Sequence, residues 1–216
     1  MNNDKLKLAA FDIDGTLLEG RSIFHLGRSF GFLKEAEELI YSSLPLYKVS
    51  EGLAKLMRGI SLEDALEVVK RIPLMNGAEY TIAELRCRGY KLVIITDSYD
   101  FVAAYFKRLL KMDATSSNKL LEEDKVFTGE LIMPRGCTSE EECNYPSVCK
   151  QAALLGFMKQ YGVSKKNTIA VGDNKPDLCM LQEAGMGIAF NPKVPELEKA
   201  DVVIREKDMR RILDYI

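Results

Sequence analysis

Two aspartates one residue apart, Asp12 and Asp14, follow the apolar run Leu8-Ala9-Ala10-Phe11 and precede Gly15-Thr16-Leu17. The run reads as a buried strand, and a buried strand has no structural reason to end on a pair of carboxylates. A site that must hold a cation and attack an electrophile does have one. Further polar clusters follow at Thr96-Asp97-Ser98, at Lys150 and at Gly172-Asp173-Asn174-Lys175-Pro176-Asp177. Carboxylates for a cation, a hydroxyl and an ammonium for an anion: together these are the groups needed to handle phosphate.

The elements that must position them can be read from periodicity. Residues 6–11 form the first strand, apolar throughout and so central and parallel. Residues 19–75 then read as helical. Ile23, Phe24, Leu26 and Phe30 make one apolar face, and Val49, Leu53, Leu56 and Met57 make another. Ser61-Leu62-Glu63-Asp64 resembles a capping box, and Pro73 closes the helix it opens. From Asn76-Gly77 onward helices and strands alternate: a helix from Ala78 to Arg88, a strand from Leu92 to Thr96, and a helix from Phe101 to Leu110. A hairpin turns around Glu122 to Lys125, residues 147–161 are helical, and 168–172 form a strand. Pro176 opens the next helix, Gly187–Phe190 and Val202–Ile204 are strands, and Asp208 to Tyr215 is a last helix. This order predicts an α/β protein with a doubly wound (Rossmann-like) parallel sheet, ligands lying at the carboxyl ends of the strands. The expected division is a core of residues 1–18 and 76–216 and a small all-helical cap, residues 19–75, inserted after the first strand.

Composition removes other classes. The 216 residues are 47% hydrophobic and 29% charged, as in a globular protein rather than a disordered one. A net charge of −2 gives no general attraction to nucleic acid or to an acidic membrane. No apolar run reaches the roughly 18 residues of a membrane span, and Met1 to Lys7 lacks the apolar region of a secretion signal. A cytoplasmic location is the expectation; oligomeric state is left open. Five scattered cysteines, an odd number, argue against a disulfide framework.

In order and position, the four polar clusters resemble the motifs of the haloacid dehalogenase-like (HAD) superfamily, most of all its phosphoserine phosphatase-like branch. The resemblance covers nearly the whole chain, including Asn76-Gly77-Ala78-Glu79, Arg88-Gly89-Tyr90 and the segment from Ala200-Asp201 to Ile216. It implies a Mg2+-dependent phosphatase acting on a small phosphorylated metabolite, with Asp12 as nucleophile forming an aspartyl-phosphate. Asp14 is implied as acid to the leaving oxygen and then base to water, which sets the chain apart from the dehalogenases, whose halide leaves without a proton. The implied metal ligands are Asp12, the backbone carbonyl of Asp14, and Asp173. Gly15, Thr16, Thr96 and Asp97 are expected at the substrate, Lys150 opposite the phosphoryl charge, and Asp177 and Asn174 behind them.

The chain departs from that branch in places. Arg21 stands where a serine-binding glutamate is usual, and the region Glu51 to Leu53 has no arginine for the substrate carboxylate. Ser-Gly-Gly is replaced by Thr96-Asp97-Ser98, and Pro176 replaces an asparagine. The expectation is a substrate other than phosphoserine, with an anionic leaving group favoured by Arg21. Phosphoserine phosphatase proper, a phosphomutase and a non-enzymatic binding protein are the alternatives. Cys137, Cys143 and Cys149 read as a small apolar packing cluster rather than a zinc site, since the only histidine, His25, lies in the expected cap. His25 reads as cap packing, and Lys165-Lys166 as surface charge.

Overall fold

A computed structural model describes residues 6–134 and 147–216. β1 (Lys7–Phe11) is followed by four helices, α1 (Ser22–Phe30), α2 (Leu33–Ile40), α3 (Leu46–Leu56) and α4 (Leu62–Val69). Then come α5 (Ala78–Cys87), β2 (Tyr90–Tyr99), α6 (Asp100–Leu109) and the hairpin β3 (Ala114–Glu123) and β4 (Val126–Ile132). After the undescribed segment follow α7 (Lys150–Tyr161), β5 (Thr168–Gly172), α8 (Leu178–Glu183), β6 (Met186–Phe190) and β7 (Val202–Ile204). The sheet order is β4-β3-β2-β1-β5-β6-β7, parallel in every pairing except β3 with β4.

β1 lies between β2 and β5, and its residues Leu8 to Phe11 are fully buried on both faces. Side-chain alternation divides the apolar residues into two layers. Ala9, Phe11, Leu92 and Ile94 pack on one face, and Leu8, Ala10, Val93 and Ile95 on the other with Leu154 and Met180. Leu26, Ala54, Met57 and Val69 of the segment after β1 belong to the first of these layers, so that segment shares its apolar cluster with the sheet. The chain leaves β1 to build one half of the sheet and returns to β5 to build the other. That places a switch point, and hence a crevice, at the carboxyl ends of β1 and β5.

The edge strand β4 is covered by the loop between α3 and α4. Phe127 exchanges backbone bonds of 2.9 Å with Gly59 and Ile60, and Leu62 N donates to Lys125 O at 2.8 Å. This closes an edge that would otherwise offer unpaired amides.

Several boundaries differ from the sequence reading. The helix α2 adds to the two apolar faces read in that segment. α4 stops at Val69, four residues before Pro73. β2 and β3 are longer than expected. The first half of β3, Ala114-Thr115-Ser116-Ser117-Asn118, is too polar to read as a strand, yet it pairs in parallel with β2. α7 begins at Lys150 rather than 147, with Cys149 as its cap accepting from Ala152 N. The last helix is a 3-10 helix, Met209–Tyr215, whose buried Met209 and Ile212 are three residues apart, as that helix requires. Among the described residues no helix is long and apolar enough to cross a membrane.

Candidate active site

Asp12 extends the β1–β5 ladder by one residue, its amide donating to Val171 O at 3.0 Å. Its buried side chain therefore leaves the end of the central strand at the crevice. Lys150, in the first turn of α7 and 2% exposed, reaches it there. Nζ donates to Asp12 Oδ1 at 2.7 Å and to Asp177 Oδ1 at 2.5 Å. The other oxygen of Asp177 accepts from the Asp173 and Asn174 amides, both at 3.0 Å. Asn174 Oδ1 accepts from Lys175 N, capping the 3-10 turn in which Pro176 occupies a position that needs no donor. Asp177 thus holds Lys150 and folds the loop after β5 around itself.

Two glycines make this packing possible. A Cβ on Gly172 would stand 2.4 Å from Asp177 Cγ. Gly15 has φ +88°, and a Cβ there would meet Asp173 Oδ2 at 2.3 Å. Thr16, fully buried, donates to Asp173 Oδ1 at 3.2 Å. Gly15 and Thr16, expected at the substrate, both pack against the Asp173 carboxylate; Gly15 also borders one of the cavities described below, and Thr16 borders none of them.

Asp14 points elsewhere. Both of its oxygens accept from Ser22, Oδ1 from the amide at 2.7 Å and Oδ2 from the hydroxyl at 3.1 Å. Ser22 is the first residue of α1, so the carboxylate meets an amide the helix leaves unpaired. Ser22 Oγ lies 2.9 Å from Ser98 Oγ, and Ser98 N donates to Thr96 Oγ1 at 3.2 Å. This chain ties Asp14 to the end of β2. Neither Ser22 nor Ser98 stood out in the sequence, since an isolated serine at a helix start reads as a cap. Asp97 is held through its backbone, where its carbonyl accepts from Asn118 Nδ2 at 2.7 Å. Its Oδ1 is buried without a hydrogen-bond partner among the described residues. Asn118 also donates to Ser147 Oγ, which lies 2.9 Å from Ser50 Oγ of α3.

The electrostatics are those of a crowded acidic site. Burial and the neighbouring Asp12 push the Asp14 carboxyl up to about 6, against the Ser22 bonds and the Arg21 charge. Burial likewise pushes Asp97 up to about 6, opposed by Lys150. Burial and the charges of Asp177 and Asp12 raise Asp173 well above the carboxylate range, and burial raises Asp177 despite its bond to Lys150. Burial alone would lower Lys150, but the carboxylates around it outweigh that and hold it protonated. Five carboxylates face two cations, Lys150 and Arg21, and this imbalance calls for a further positive charge.

Asp12, Asp173 and Asp177 can bring carboxylate oxygens within 4.8 Å of one another, a hard-oxygen donor set that suits a divalent cation. Both oxygens of Asp177 are already engaged, whereas Asp12 and Asp173 each keep one oxygen without a hydrogen bond from a described residue. The Asp14 side chain is not part of this cluster.

A cavity of about 40 Å³ lies among Asp12, Thr96, Asp97, Lys150 and Asp177. Beside it are two larger ones. The first, about 550 Å³, is walled by Asp14, Ser22, Tyr99 and the turn between α2 and α3. The second, about 670 Å³, lies toward Asp173, Asn191 and Lys193. Arg21 borders all three. His25 lies in α1 and borders none of them. Cys149 is a buried free thiol, while Cys137 and Cys143 lie outside the described residues.

The family model for haloacid dehalogenase-like hydrolases matches residues 9–182. The chain is 32% identical over 216 residues to phosphoserine phosphatase of Methanocaldococcus jannaschii, covering 98% of each chain. It is 30% identical to phosphoserine phosphatase of Wolinella succinogenes, covering 98% of this chain and 100% of that one. A solved structure described as a phospho-aspartyl intermediate analogue of phosphoserine phosphatase superposes with a TM-score of 0.87 at 30% identity, covering 99% of this chain and all of the other. A substrate-bound phosphoserine phosphatase complex also gives 0.87, again at 30% identity and with 99% of both chains covered. Sequence and fold agree over nearly the full length, and the chain belongs to the haloacid dehalogenase-like hydrolase family, as a phosphatase.

Proposed function

We propose that the protein is a magnesium-dependent phosphatase that hydrolyses a small phosphorylated metabolite through an aspartyl-phosphate on Asp12. The observation that carries this reading is the buried Asp12–Lys150–Asp177 chain at the switch point of the sheet. Lys150 engages Asp12 Oδ1 and leaves Oδ2 to attack phosphorus. A bond forms from Asp12 to phosphorus as the bond from phosphorus to the leaving oxygen breaks, and Asp14 gives that oxygen its proton. A group raised to about 6 is suited to both halves of this work, since it gives a proton to the leaving oxygen and then takes one from the attacking water. Water displaces Asp12 from phosphorus in the second half. Thr96 and Lys150 border the small cavity and supply donors to the phosphoryl oxygens. Asp12, Asp173 and the Asp14 carbonyl would hold Mg2+, whose charge offsets the surplus carboxylates. Helices α1–α4, residues 19–75, serve as a cap over the core of residues 1–18 and 76–216, and the cavity of about 550 Å³ beneath them receives the leaving group.

Arg21 and the absence of an arginine at residues 51–53 favour a substrate other than phosphoserine. A second reading, phosphoserine phosphatase proper, is favoured by the full-length similarity to proteins of that name. Release of inorganic phosphate from an aryl phosphate, and from a metabolite panel that includes phosphoserine, tests both readings with and without Mg2+. Asp12→Asn should lower kcat by a factor of about 10⁴ or more while the circular dichroism stays native. Activity retained in that variant sinks the mechanism, and formation of a phosphate isomer without free phosphate would identify a mutase.

A further inference from the structure

Arg21 lies at the junction of the three cavities, half-buried immediately before α1. Its guanidinium makes no hydrogen bond or ion pair with a described residue. Arginine carries five donors in a rigid fork, and a half-buried guanidinium normally uses several of them. Of the acids its charge acts on, Asp14 accepts from Ser22 through both oxygens and Asp173 from Thr16 through one. Arg21 lowers the proton affinity of both without being the partner of either.

The chemistry of the surrounding walls is one-sided. The wall of the cavity of about 550 Å³ that residues 21–53 build has serine hydroxyls at Ser42, Ser43 and Ser50 and apolar side chains at Ile40, Leu44 and Val49. Arg21 is the one charged group on that wall. Asp14 and Asp97 also border the cavity of about 40 Å³ beside Asp12 and Lys150, and Arg21 spans from that cavity to the two larger ones. On the other side, the cavity of about 670 Å³ adds Lys193 and Lys207 against Glu19. Asp14 and Asp173 border that cavity too, so the cations Arg21, Lys193 and Lys207 stand around the acids of the phosphoryl end.

We propose that Arg21 recognises a second anionic group on the leaving alcohol. The substrate class is then a phosphate monoester whose alcohol carries a carboxylate or another phosphate and no ammonium. This rests on the phosphatase reading above and assigns the leaving-group end of that site. A planar guanidinium pairs with either anion through two parallel bonds, and in a half-enclosed cleft such a pair discriminates strongly. An ammonium in the same place would face the Arg21 charge.

The test is a comparison of kcat/KM for the full chain with Mg2+ on monoesters of similar size. Phosphoglycerate carries a carboxylate, propanediol bisphosphate a second phosphate, glycerol phosphate only hydroxyls, phosphoethanolamine an ammonium and phosphoserine both charges. The aryl phosphate is the control. The anionic esters should exceed glycerol phosphate by about tenfold or more, phosphoethanolamine should be the poorest, and the two anionic arms show which anion is taken. Arg21→Gln should cost the anionic esters about tenfold more than glycerol phosphate, chiefly in KM, and Arg21→Lys should restore part of that difference. Equal use of anionic and neutral esters by the unaltered protein overturns the inference, as does an equal loss on both in Arg21→Gln. Hydrolysis of the aryl phosphate without any anion preference overturns this inference alone. Failure to hydrolyse any of these esters overturns the phosphatase reading and this inference with it.

Discussion

At the scale of single residues, one lysine and five aspartates share a site that water hardly reaches, and the interest lies in how their demands are divided. Asp12 and Asp177 are bound to Lys150, Asp14 to Ser22 and Asp173 to Thr16. Asp97 Oδ1 is buried with no hydrogen-bond partner among the described residues. Burial raises its carboxyl from 3.8 to about 6, so the folded protein binds its proton more tightly than the unfolded chain does. The associated stability is present at low pH and is lost as pH rises through about 6. Urea midpoints of the metal-free protein should fall between about pH 4 and pH 7, and Asp97→Asn should flatten that slope. A slope unchanged in the variant would show that Asp97 is not its source. At this scale the sequence was informative wherever a residue type was expensive. Asp12, Asp14 and Asp173 stood out because buried acids need a reason. Ser22, Ser98, Ser147 and Asn118, which orient the site through neutral hydrogen bonds, carry no such mark in a sequence.

At the scale of elements, the strand β5 and the 3-10 turn after it behave as one rigid part. Asp177 can lie against the α-carbon of Gly172 only because that residue has no Cβ, and Asp177 in turn fixes Lys150 and two loop amides. Gly172→Ala should displace Asp177 by an ångström or more and lower kcat by about a hundredfold, with a smaller loss of thermal stability. A variant with unaltered kcat would show that Lys150 does not depend on that packing. Apolar periodicity made β1, β5, β6 and β7 readable, because strands buried on both faces are uninterrupted apolar runs. It missed the first half of β3, whose Thr115, Ser116 and Asn118 are paired by β2 without being especially apolar. It found the final helix without its type, since spacings of three serve a 3-10 helix or an α-helix.

At the scale of the whole molecule, helices α1–α4 and the sheet share one apolar layer, and polar contacts cross between them beside the site. Ser50 of α3 meets Ser147, which meets Asn118 of β3, which holds the carbonyl of Asp97. Ser22 of α1 meets Ser98 of β2. The site is therefore assembled from both ends of the chain, and its surplus negative charge is a cost to the fold as a whole. Millimolar Mg2+ should raise the melting temperature by several degrees, chelation should reverse the rise, and Asp173→Asn should abolish it at little cost to the metal-free protein. An unchanged melting temperature would contradict the assignment of Asp12 and Asp173 as metal ligands. The sequence by itself determined the order of strands and helices, the acids at the ends of β1 and β5 and the lysine of α7, because local periodicity and the cost of buried charge are properties of short segments. Only the tertiary structure decided that Thr16 supports Asp173, that Ser22 holds Asp14, and that Arg21 meets no partner among the described residues where three cavities join. Those facts depend on which groups meet across the chain, and close approach between distant segments leaves no periodic trace in either of them.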